Sequence, residues 1–79
     1  MIESKMERII VGAMTRRQLS YEKLSKVYER KKGKSITKQA LNTKVKNLAR
    51  TKNIETFREL LEMMGVNEES IEKFVEEVK

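Results

Sequence analysis

Cysteine, histidine, tryptophan, proline and aspartate are all missing from this 79-residue chain, and each absence removes a class of function. Without His or Cys, neither a Ser-His-Asp triad nor a Cys-His pair can be assembled. Disulfides and the usual tetrahedral zinc sites are ruled out on the same ground, so neither braces the fold. All twelve acidic residues are Glu, and clustered Glu alone holds a hard cation weakly. The chain is therefore expected to be no enzyme, with no cofactor, metal or small-molecule substrate. Long apolar runs are also lacking. The longest, Ile9 to Met14, falls well short of the roughly 20 residues of a membrane span and is too weakly flanked for a signal peptide. A cytoplasmic protein with no membrane partner is the expectation.

What is present is charge, unevenly placed. The net charge of +6 divides into two blocks of opposite sign. Residues 1–53 carry fifteen Lys and Arg against four Glu, giving 15 − 4 = +11, and residues 54–79 carry three against eight, giving 3 − 8 = −5. A strongly basic segment suits a polyanion, because Lys and Arg displace the counterions condensed on phosphates. An acidic segment joined to it implies a second surface with a different role.

Apolar residues recur with helical spacing throughout, which predicts an all-α fold: one compact bundle of four to five short helices over residues 1–79. The basic, helix-turn-helix-like part covers about residues 16–53 and the acidic helices about residues 54–79. The first helix is expected from about Glu3 to Met14, with Met6, Ile9, Ile10, Ala13 and Met14 as its stripe. Ser20 is positioned to cap the second, whose buried face is Tyr21, Leu24, Val27 and Tyr28 and which Gly33 ends in a left-handed turn. Thr37 caps the third, with Ala40, Leu41, Val45 and Leu48, and the stem of Lys44, toward the core. Whether Arg50 to Asn53 is its last turn or a loop stays open. The fourth runs from near Asn53 to Gly65 on Ile54, Phe57, Leu60, Leu61 and Met64, and the fifth from Asn67 on Ile71, Phe74, Val75 and Val78. Leu19/Leu24, Ile36/Leu41 and Val66/Ile71 each match a hydrophobic staple, an apolar pair bracketing the helix start. The methionines read as core filling rather than as an adaptable groove.

The third helix, about residues 37–50, carries the functional signal. Opposite its core face lie Lys38, Gln39, Asn42, Thr43, Lys46, Asn47 and Arg50, one continuous stripe without a single Glu. These side chains suit base edges: Asn and Gln pair with adenine, Lys and Arg with guanine, and the Thr methyl meets the thymine methyl. A helix that merely faced water would mix Glu with Lys, as the two C-terminal helices do. The second helix, the Gly33 turn and the third helix form a bihelical unit whose last helix enters the major groove. Arg30, Lys31, Lys32 and Lys34 at the turn, Ser35 and Thr37 at the next helix start, and Arg16 and Arg17 further back are candidate phosphate contacts.

The stretch "SYEKLSKVYERKKGKSITKQALNTKV", followed by "FRELLEMM", resembles the N-terminal helical region of IS4-type transposases. The likeness rests on Ser20, Leu24, Gly33, Ile36, Thr37, Gln39, Ala40, Leu41, Phe57, Leu60 and Leu61, about half the chain, and "NLARTKN" departs from the pattern as an insertion. It implies a DNA-binding module of a mobile element or a small transcription regulator, standing apart from any carboxylate catalytic domain. Double-stranded DNA is thus the expected partner. The alternative is a helical protein–protein interaction module, an adaptor or dimerisation domain with an acidic partner; a homodimer is compatible with either. RNA ranks lower, since two Tyr and two Phe all read as core and leave no stacking platform. The acidic last helix would repel DNA and is expected to lie away from it. The two leading readings differ in a visible way. DNA binding requires Lys38, Gln39, Asn42 and Lys46 exposed beside the turn cations, whereas protein docking requires a large exposed apolar patch.

Overall fold

The structure, a computed structural model, describes residues 5–51 and 53–79. Its described residues form α1 (Lys5–Arg16), α2 (Tyr21–Lys32), α3 (Lys38–Lys46), the single turn α4 (Leu48–Thr51), α5 (Ile54–Met63) and α6 (Glu68–Val78). Among them there is no strand. No helix of the described residues is long and apolar enough to cross a membrane.

The helix starts follow one recipe. Ser20, Thr37, Asn53 and Asn67 each accept a hydrogen bond on the side-chain oxygen from the backbone N–H three residues on, at 2.8–3.2 Å. Each cap satisfies a donor that the helix cannot pair internally. The helix ends are equally alike. Gly65, with φ of 87°, ends α5, and the N–H of Val66 then donates to Leu61 O at 3.1 Å. Gln18, with φ of 55°, ends α1 in the same way, and Leu19 N–H donates to Met14 O at 2.9 Å. This is the Schellman arrangement, which needs a left-handed residue just past the helix. The connections Gln18-Leu19-Ser20 and Gly65-Val66-Asn67 thus share one grammar: a left-handed residue, an apolar residue that packs inward, then a cap. Gly33, with φ of 71°, opens the third connection, and Ile36-Thr37 closes it. Here two further residues, Lys34 and Ser35, are inserted between them, and both are exposed.

One core unites the helices. Met6, Ile10, Ala13 and Met14 of α1 meet Leu24, Leu41, Val45, Leu48, Phe57, Leu60, Leu61, Met64, Val66, Ile71 and Val75. α1 is central and touches α3, α4, α5 and α6, while α2 packs on α3 and α5. The Cα radius of gyration, 11.7 Å, matches the value of about 11.6 Å for a compact chain of this length. Val66 and Ile71 both lie within this core, as do Leu24, Leu41, Met6, Met14 and Met64, while Leu19, Ile36 and Met63 are partly buried and packed against it.

Four expectations need correction. The third helix does not run unbroken to residue 50: it ends at Lys46, and Leu48, Arg50 and Thr51 belong to α4. Asn47 keeps a right-handed conformation and its carbonyl accepts from Thr51 N–H at 3.0 Å, so α4 continues the path with a slight break. Ala40 is exposed rather than buried. Leu41, Val45 and Leu48 define the buried line at i, i+4 and i+7, and Ala40 falls about 100° round the helix from Leu41. The face of α2 is thinner than the spacing implied, since Leu24 alone is buried and Tyr21, Val27 and Tyr28 are half-buried. Finally, α1 extends to Arg16, beyond Met14; its expected start at Glu3 lies outside the described residues.

Candidate nucleic-acid interface

The buried line of α3 dictates what the opposite side shows. With Leu41 and Val45 fully buried, the residues furthest from the core are Gln39, Thr43 and Lys46, continued by Arg50 on α4. All four are exposed, as are Lys38 and Ala40, while Asn42 and Asn47 are half-buried on the two flanks. The stripe is therefore narrower than the sequence implied but unbroken, and it contains no carboxylate. Thr43 Oγ1 donates to Gln39 O at 3.0 Å and Thr51 Oγ1 to Asn47 O at 3.0 Å, so both hydroxyl protons are held by the helix backbone. Lys44 points away toward α2, its ammonium 5.9 Å from the centre of the Tyr28 ring, within reach of a cation–π attraction.

Beside the stripe stands the α2–α3 turn. Arg30, Lys31, Lys32, Gly33, Lys34 and Ser35 are all exposed, and the Gly33 N–H closes α2 on Glu29 O at 2.8 Å. Thr37 Oγ1 accepts from Ala40 N–H at 3.1 Å, which leaves its hydroxyl proton available to an external acceptor. Among the described residues, Lys31, Lys34, Lys38, Lys46 and Arg50 form no ion pair, so no contact within the fold compensates their charge. Lys32 differs: its ammonium lies 2.6 Å from a Glu59 carboxylate oxygen on α5. That hydrogen-bonded contact holds the Lys32 pKa above the ordinary lysine value, against a smaller opposing effect of lost hydration.

Arg16 and Arg17 sit elsewhere. Arg16 ends α1 and Arg17 follows it, before α2 begins, and α2 carries the chain about 16 Å to the basic turn at its other end. Arg17 Nε donates to Met64 O at 2.8 Å, and its Nη1 reaches Ala13 O at 3.4 Å, tying the end of α1 to the end of α5. Arg16 lines a cleft of about 200 Å³ with Ile9, Gly12, Val66, Ser70 and Phe74, between α1 and α6. The structure exposes thirteen of the fifteen positions singled out in the sequence and half-buries Asn42 and Asn47; Arg16 and Arg17 stand at the opposite end of α2 from the basic turn. The structure adds Ala40, which the periodicity had assigned to the core and which stands exposed between Gln39 and the Thr43 turn of the helix.

The two charge blocks occupy different helices, and their partners differ too. Arg58 clamps Glu72 with both terminal guanidinium nitrogens, joining α5 to α6, and Lys79 lies 3.9 Å from Glu76. No family model, curated protein or solved structure matches this chain.

Proposed function

We propose that this chain is a non-catalytic DNA-binding domain that lays α3 in the major groove and sets the cations of the α2–α3 turn on phosphates. The observation that carries the reading is the exposed, carboxylate-free surface of Gln39, Thr43, Lys46 and Arg50 beside Lys31 and Lys34, which have no ion-pair partner among the described residues. Phosphate contacts fix register and orientation, and amide and cationic side chains on the helix address base edges. The insertion of Lys34 and Ser35 supports this division of labour. The other two connections do without such residues, and here they lengthen the turn outward with a cation and a hydroxyl. Thr37 adds a free hydroxyl proton at the helix start.

The competing reading, a protein-docking module, draws less support. Among the described residues, Val11 is the one large hydrophobic side chain that is exposed, at 39%. A single partly exposed valine does not make the contiguous apolar patch such a module needs. The resemblance to a transposase N-terminal region fits the DNA reading and suggests a mobile-element origin or a small regulator acting in the cytoplasm.

Binding of the protein to a labelled random-sequence duplex, measured from low to moderate salt, tests the proposal. Affinity should fall steeply with salt, and Lys31→Ala/Lys34→Ala should flatten the log–log slope by up to about 0.9 for each phosphate left without its lysine. Lys38→Ala/Lys46→Ala should weaken binding while the helical circular dichroism is unchanged. Folded protein that binds no duplex even at low salt would sink the proposal.

A further inference from the structure

Three side chains of α3 carry a more specific message, which rests on the DNA-binding reading above. Gln39, Ala40 and Thr43 are exposed neighbours at i, i+1 and i+4 on one helix. Gln39 and Ala40 are its second and third residues after the Thr37 cap, within the first turn that a groove-reading helix directs at base edges. Their chemistry is uneven. Gln39 offers an amide, with a donor and an acceptor side by side, the pattern that matches the N6 and N7 edge of adenine. Ala40 offers only a methyl group. Thr43 has already given its hydroxyl proton to Gln39 O at 3.0 Å, so it retains its methyl and oxygen lone pairs but has no proton free for a base. Ala40 and Thr43 together therefore form a small apolar surface next to an amide.

We propose that this trio reads adjacent A·T base pairs: Gln39 takes the adenine edge, and the Ala40 and Thr43 methyl groups meet the C5-methyl of a neighbouring thymine. A thymine methyl is the one apolar group that the major groove presents, and Ala and Thr methyls are suited to it. A cytosine at the same place removes that methyl and with it the apolar contact to Ala40 and Thr43. Lys46 and Arg50, seven and eleven residues beyond Gln39, belong to the same stripe and would meet other base pairs or phosphates further along.

Selection from a random-sequence duplex pool, followed by replacement of each selected thymine with deoxyuridine, tests this directly. The replacement removes one methyl from the DNA and leaves the protein untouched. Selected sites should share at least two adjacent A·T pairs, and uracil at one of them should weaken binding roughly three- to fivefold, the worth of one buried methyl. Thr43→Ser, which keeps the back-bonding hydroxyl, should show a similar loss on the thymine duplex and little further loss on the uracil duplex. That non-additivity marks a direct contact. Sites rich in G·C, or affinity indifferent to every uracil, would overturn the A·T reading while leaving DNA binding intact. A folded protein that enriches no duplex would overturn both.

Discussion

The helix pairs α2–α3 and α5–α6 use the same kind of side-chain cap, and each pair is joined through a left-handed glycine, yet they are invested differently. α5 and α6 bring Phe57, Leu60, Leu61, Ile71 and Val75 to the core, the turn between them adds Met64 and Val66, and Arg58 joins the two helices through Glu72. α2 brings Leu24 alone to full burial, and α3 brings Leu41 and Val45. The acidic pair is a structural half with its charges partly matched. The basic pair is held by few side chains and leaves most of its cations unmatched. Like charges crowded on one surface oppose folding, a cost that the anionic partner proposed above would relieve.

The largest effect is expected in the acidic pair. Phe57 is fully buried, and Phe57→Ala should destabilise by about 3–5 kcal/mol, comparable to the whole stability of many small domains. Urea titration should show the helical signal largely lost, with both pairs unfolding together. Leu24→Ala attacks the weak end and should cost about 2–4 kcal/mol, within the range for a buried leucine. Hydrogen exchange should then show protection falling more in α2 than in α5 and α6. Equal loss everywhere would mean that the two pairs form a single cooperative unit.

Smaller effects sharpen the contrast between connections. Gln18 holds the left-handed position that Gly65 and Gly33 hold elsewhere, at φ of 55°. A side chain there is strained, so Gln18→Gly should stabilise by about 0.5–1 kcal/mol, seen as a raised urea midpoint at unchanged slope. The smallest effect concerns Lys32–Glu59, the ion pair that joins the basic and acidic helices. Because the folded pKa of Lys32 lies above the ordinary value of 10.5, the pair's contribution is present below that value and fades as pH rises through the folded pKa. Glu59→Gln should bring the Lys32 titration, followed by nitrogen NMR, back toward the other lysines. An unmoved midpoint would show that Glu59 is not the cause.

Much of this architecture was legible in the chain because its signals are local. Ser20, Thr37, Asn53 and Asn67 act through hydrogen bonds to a backbone group three residues away, and each staple pairs residues five positions apart. Such contacts need no tertiary partner, so reading along the chain places every one of these helix starts. Gly33 and Gly65 announce their helix ends for the same reason, since left-handed backbone favours a residue without a Cβ. The end of α1 was less legible because Gln18 adopts that conformation with a side chain, and the stop is enforced by packing of Leu19 rather than by residue type.

The chain's own chemistry thus determined an all-α fold, the two charge blocks and a basic helix without carboxylates, because composition and period-3.6 spacing follow directly from residue identity. Only the tertiary structure decided which of those residues share a surface. It exposed Ala40 by setting the core line through Leu41 and Val45, narrowed the stripe at Asn42 and Asn47, and ended α3 at Lys46. It also drew Arg17 to the Met64 carbonyl and Lys32 to Glu59, partners 47 residues away in the first case and on a different helix in the second. A cation's partner depends on which carbonyl or carboxylate the packed helices bring within about 3 Å, the reach of a hydrogen bond, and sequence spacing carries no record of that.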